Sequence, residues 1–129
     1  MDLAQLQARV RRGEDLHTEF KEWPIHADDL ANSLIAFANT DGGQLILGVT
    51  DDGRMLGVDD PAATAQQVDQ IAYNNCRPPL TVIQETVDAD GTTIVVVNVP
   101  QGDQRPYQTN RDLFYIRTTS GRRRASRQE

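Results

Sequence analysis

Ala36-Phe37-Ala38-Asn39-Thr40-Asp41-Gly42-Gly43-Gln44-Leu45-Ile46-Leu47-Gly48-Val49-Thr50-Asp51-Asp52-Gly53 is the stretch on which the fold turns. An apolar helix pattern runs into Asn39, and Gly42-Gly43 supplies the positive-φ freedom that ends a helix and turns the chain. Gln44 to Val49 is an apolar run of strand length. Asp51-Asp52-Gly53 is turn chemistry, and Met55 to Val58 reads as a returning strand. The stretch therefore predicts helix, double-glycine turn, central strand and hairpin. Asn39, Asp41, Asp51 and Asp52 stand at the two ends of that strand, where polar groups can converge on a site.

Working outward, Leu3, Leu6 and Val10 fall at helical spacing within Asp2 to Arg12, with Asp2 as cap and Gly13 as stop. Alternation of Leu16, Thr18 and Phe20 predicts a strand over Thr18 to Lys21, broken by Trp23-Pro24. A helix begins at His26 or Ala27, with Asp28 and Asp29 favourably placed in its first turn and Leu30, Leu34, Phe37 and Ala38 on its buried face. Asp60-Pro61 is a helix start, and that helix ends near Asn74-Asn75. Leu80 to Val87 and Thr92 to Val99 are β-branched strands joined by a hairpin carrying an Asp-Gly signal at Asp90-Gly91. Asp112 to Arg117 is a last strand, with Tyr107 to Thr109 a candidate short partner. The class is α+β: a single domain with a mixed or mainly antiparallel sheet packed against about three helices.

At 129 residues the chain is one domain by size, with residues 1–117 as its body and 118–129 as a basic C-terminal tail. Net charge is −6, which opposes a protein that coats nucleic acid by bulk electrostatics. The charge is unevenly spread, because Arg117, Arg122, Arg123, Arg124 and Arg127 face a single acid, Glu129. That end carries +4 and leaves −10 on the rest. Such a tail is either a solvated end or a phosphate contact. The lone Cys76 forms no disulfide within the chain, no apolar run spans a membrane, and the start has no secretory pattern. These features lead to the expectation of a cytoplasmic protein with no membrane partner. Gly42-Gly43 is no phosphate loop, since no Gly-Lys-Ser/Thr follows, and no nucleotide cofactor is supported.

Several motifs in order resemble a known family. They are Glu14 with Glu19-Phe20-Lys21, Ala36 to Gly43, Leu47 to Gly53 with Gly57-Val58, and Arg105-Pro106 with Tyr115-Ile116-Arg117 and the run from Thr118 to Ala125. Together they resemble the AlbA-like domain, associated with DNA binding, that Schlafen proteins share with many bacterial proteins. The resemblance implies an α+β fold and DNA or RNA as partner. Some Schlafen members are RNA endonucleases that use three carboxylates, and by motif position these fall on Glu14, Glu19 and Asp51; Asp52 is one residue off the pattern. The Schlafen nuclease core pairs two such modules, so a single module imitating it would form a homodimer.

Glu19 and Lys21, two apart on a strand, project to one face. Carboxylates beside a lysine can hold Mg²⁺ or Mn²⁺ and steady phosphate charge. They can equally form a cross-strand salt bridge, with Glu14 a solvated loop acid. Asn39 and Thr40 are either turn stabilisers or ligand contacts, and Trp23 and Tyr107 either pack or stack bases. Three functions follow. The leading one is a small nucleic-acid-binding domain, regulatory in role, contacting phosphate through Arg117, Arg122, Arg123, Arg124 and Arg127. The second is a divalent-metal endonuclease with Glu14, Glu19 and Asp51 as metal ligands and Lys21 assisting. The third is a protein-interaction or dimerisation module.

Overall fold

The computed structural model describes residues 1–125. Among these, three helices pack on a four-stranded sheet flanked by two small two-stranded ladders. Helix α1 (Leu3–Arg11) is held by a reciprocal cap: Asp2 accepts from the Gln5 N–H at 2.8 Å, and the Gln5 side chain accepts from the Asp2 N–H at 2.9 Å. Strand β1 (Thr18–Lys21) leads to α2 (Ala27–Asn39), and the double-glycine turn then delivers β2 (Gly43–Leu47). Gly43 has φ +153°, and a Cβ there would stand 2.4 Å from the His17 carbonyl oxygen and 2.7 Å from the Phe37 ring. Only glycine lets the helix end this close to the sheet.

Met55 to Val58 does not form the returning strand expected from the sequence. The Leu56 and Gly57 N–H groups both donate to the Gly48 carbonyl, at 2.8 and 2.9 Å, and a single bridge joins Val49 to Met55. Helix α3 (Pro61–Asn74) starts as its sequence demands, with the Asp60 carboxylate accepting from the Ala63 N–H and proline in the first turn. A short β3 (Cys76–Arg77) follows, then the hairpin of β4 (Ile83–Ala89) and β5 (Thr92–Val99). Its two-residue turn places Asp90 at φ 51° and Gly91 at φ 95°, the left-handed pair that matches strand twist. The last ladders are β6 (Gln108–Thr109) on β3, and β7 (Tyr115–Thr118) with β8 (Gly121–Arg124). The segment expected to be tail from residue 118 onward thus contains a strand, and Arg127 lies outside the described residues.

The main sheet runs β1-β2-β5-β4, with β1 parallel to β2 and the other pairs antiparallel. Period-two alternation divides the core in two. Leu45, Leu47, Val95 and Val97 meet α2 and α3 on one face. Phe20, Ile46, Ile94 and Val96 meet Leu6 and Val10 of α1 on the other. No described helix is long and apolar enough to cross a membrane. Cys76 is a buried free thiol whose burial pushes its pKa up to about 12.

Candidate functional site

The register Glu19↔Leu45 and Lys21↔Leu47 sends both charged side chains of β1 to the α2 face, as two-residue spacing requires. Glu19 is 7% exposed, and both of its carboxylate oxygens are occupied. One accepts from the Ser33 hydroxyl at 2.6 Å, the other from the Arg117 guanidinium at 2.8 Å. Arg117, in turn, has a side chain only 1% exposed. It donates to the Asp15 and Leu16 carbonyls at 2.8 and 3.3 Å and lies over the Phe37 ring, 4.5 Å from its centroid. This arginine was expected to reach phosphate. Instead it is the counter-ion of a buried carboxylate, because the β7–β8 hairpin folds back onto α2.

Arg122 lies opposite Arg117 in the hairpin and is also turned inward. It donates to the Ser33 hydroxyl at 2.7 Å and to Asp29 at 3.0 Å. A continuous chain thus runs Arg122–Ser33–Glu19–Arg117. Ser33 was not singled out in the sequence, although a serine between Leu30, Leu34 and Phe37 on a buried helix face is a detectable signal. Arg123 and Arg124 are exposed.

Glu14 covers the other edge of β1. Its carboxylate accepts from the Phe20 N–H at 3.0 Å, a donor that faces away from β2. Glu14 is exposed as a residue, but partial burial of its carboxylate raises its pKa above the ordinary glutamate value. The negative charges of Asp51 and Glu19 add to the rise, while the Phe20 N–H and Arg117 oppose it. The three sequence-picked carboxylates therefore do share one neighbourhood. Among the described residues no group of three His, Cys, Asp or Glu side chains is placed to hold an ion, and each Glu19 oxygen already accepts one hydrogen bond. Lys21 makes no ion pair among the described residues. Asp52 is engaged by the Thr50 hydroxyl and Arg54, which fix the turn.

Asn39 and Thr40 hold the hairpin in place. The Asn39 amide donates to the Tyr107 and Tyr115 carbonyls at 2.8 and 3.0 Å and accepts from the Tyr107 N–H. The Thr40 hydroxyl accepts from the Arg117 N–H at 2.9 Å. Tyr107 is buried, 4% exposed.

This order of elements is reflected in known proteins. The family model described as Schlafen, AlbA_2 matches residues 14–126. The chain belongs to the Schlafen AlbA_2 family. Among solved structures, the N-terminal domain of a RecG-related protein from Nitrosomonas europaea, named for ATP-dependent DNA helicases, is similar at 25% identity and a TM-score of 0.69, over 85% of this chain and 81% of that one. The DIP2311 protein of Corynebacterium diphtheriae shares the fold at 22% identity and a TM-score of 0.66; the match covers 97% of this chain but 26% of that protein. No curated protein matches the chain. The matched span includes the whole of the arginine strand β8.

Proposed function

We propose that this Schlafen AlbA_2 domain binds nucleic acid through the outer part of its arginine strand. One observation carries the reading: of the four described arginines from 117 to 124, Arg117 and Arg122 are turned inward onto Glu19, Ser33 and Asp29, while the exposed residues on β8 are Arg123 and Arg124. The ordered hairpin presents that charge at a fixed place, so phosphate contact costs less ordering than a loose tail would. The family and the helicase-named N-terminal domain support the same role. A −6 chain needs such a local positive surface to approach a polyanion. The test is a titration of labelled single- and double-stranded DNA and RNA with the protein, with and without chelator, read for both retention and cleavage. Retention independent of chelator is the expected result; absence of retention on every probe at low salt refutes the reading.

A second reading, divalent-metal endonuclease, is favoured by the mutual influence of Glu14, Glu19 and Asp51. It requires Glu19 to share its carboxylate between the ion and Arg117 or to leave Arg117, and the cleavage arm of the same titration tests it. Homodimerisation is a further proposal: β4 is an edge strand with Ile83 exposed, and sedimentation across a concentration series tests it.

A further inference from the structure

A second site stands apart from the acid and arginine chain. Beyond the C-terminal end of β1, Trp23 faces the start of α3 across a cleft of about 240 Å³ whose walls include Asp59, Asp60, Thr64 and Gln67. Trp23 is half-buried: it packs against the edge of the core and also lines the cleft. Two carboxylates and no lysine or arginine line it.

The polar groups here are unequally satisfied. Asp60 caps α3 through one oxygen, to the Ala63 N–H at 3.1 Å. Asp59 is exposed and makes no hydrogen bond or ion pair among the described residues. Thr64 is 3% exposed, and its hydroxyl, on the cleft wall, has no hydrogen-bond partner among the described residues. A threonine in a helix can return its hydroxyl to the carbonyl one turn back, as Thr40 does to Ala36 at the end of α2. At Thr64 the Asp60 carbonyl receives only the backbone N–H. The buried side-chain atoms left wholly without a partner among the described residues are Arg9 Nη1 and Gln84 Oε1, so the Thr64 hydroxyl opens on the cleft and is met by whatever fills it.

We propose that this cleft receives an arginine side chain from a basic segment of a partner protein. An indole face, two carboxylates and a free hydroxyl acceptor match a planar guanidinium, which stacks on aromatic rings and donates in a fork. The half-charge at the N-terminus of α3 opposes a cation, but two full carboxylates outweigh it. A nucleobase would stack equally well on Trp23, yet would bring its phosphate to a wall with no cation to meet it. The site is independent of the nucleic-acid reading.

Trp23 is the single tryptophan, so indole fluorescence, excited where the three tyrosines do not absorb, and the indole N–H resonance of an isotope-labelled sample both report on Trp23. The full chain is titrated with a short acetylated, amidated Gly-Arg-Gly peptide, with the same peptide carrying neutral citrulline, and with guanosine monophosphate. The expected result is a saturable change with the arginine peptide, weakened by salt. Binding of the citrulline peptide is expected to be roughly ten-fold or more weaker, the loss of a charge-assisted interaction. Asp59→Asn, at an exposed position that leaves the cap intact, lowers the affinity for arginine, and Thr64→Val does the same where it folds. The proposal is overturned if neither signal moves, if citrulline binds as well as arginine, if guanosine monophosphate saturates the site instead, or if Asp59→Asn binds like the parent.

Discussion

Replacing Arg117 by methionine tests whether the arginine end of the chain is structure or tail. Methionine keeps much of the volume under the hairpin but removes the guanidinium. What remains is a Glu19 carboxylate 9% exposed at its side chain, deprived of its 2.8 Å partner. The Asp15 and Leu16 carbonyls also lose their donor, and the contact with the Phe37 ring disappears. Breaking a buried ion pair from one side costs about 3–5 kcal/mol, because the surviving charge is left uncompensated. For a domain of this size that lowers the melting temperature on the order of 10–20 °C. The assay is a thermal or urea melt of the parent, Arg117→Met, Glu19→Gln and the double variant. The double variant, which buries no orphan charge, is expected to be more stable than the sum of the single losses by about 1–3 kcal/mol. Arg124→Ala, at an exposed site, should melt within about 0.5 kcal/mol of the parent. An Arg117→Met variant that melts like the parent, or a strictly additive cycle, refutes the reasoning.

Gly43→Val should cost at least about 1–3 kcal/mol from backbone strain alone, before the contact with the His17 carbonyl is counted; parental stability in a urea melt would show the turn misread. Glu14 has a raised pKa in the fold, so its stabilising, protonated form is complete below the ordinary glutamate range and is lost as pH rises through the folded value. Glu14→Gln keeps an acceptor for the Phe20 N–H and should therefore raise the melting temperature at neutral pH, with the gain fading in acid; a gain that grows in acid contradicts the assignment. Millimolar Mg²⁺ or Mn²⁺ is expected to leave the melting temperature of the parent unchanged, since Glu19 is engaged by Ser33 and Arg117. A stabilisation that Asp51→Asn abolishes would instead establish the three-carboxylate metal site.

Local chemistry was legible wherever it was self-contained. Thr18–Lys21, Thr92–Val99 and the Asp60-Pro61 helix start fall where the residues alone place them, because alternation, β-branching and capping act over a few positions. The Met55 to Val58 strand failed because its apolar residues approach Gly48 without continuing as a ladder. The pairing of Cys76–Arg77 with Gln108–Thr109 spans two residues per strand and leaves no period to read. Leu80 and Val82 look like strand residues but reach the core as coil, so β4 begins later. At the site, the motif positions of Glu14, Glu19 and Asp51 were visible, and so was the charge of the arginines. Their division between inside and outside was not. It depends on a contact between Glu19 and Arg117, 98 residues apart, made when a strand of arginines folds onto α2. No local pattern separates an arginine meant for phosphate from one meant for a buried carboxylate.

The most direct measurement of the central claim is the salt dependence of binding to a labelled duplex, compared between the parent and the Arg123→Ala/Arg124→Ala double variant, with melts run alongside. Truncating the chain at Arg122 would confuse binding with folding, since that residue holds Ser33 and Asp29. The account expects the parent to bind with a steep dependence on salt. The double variant should bind more weakly, with its log–log slope reduced by roughly 1.8, about 0.9 for each lost phosphate contact, at a temperature where the melts show both proteins folded. Equal affinities and equal slopes would contradict it.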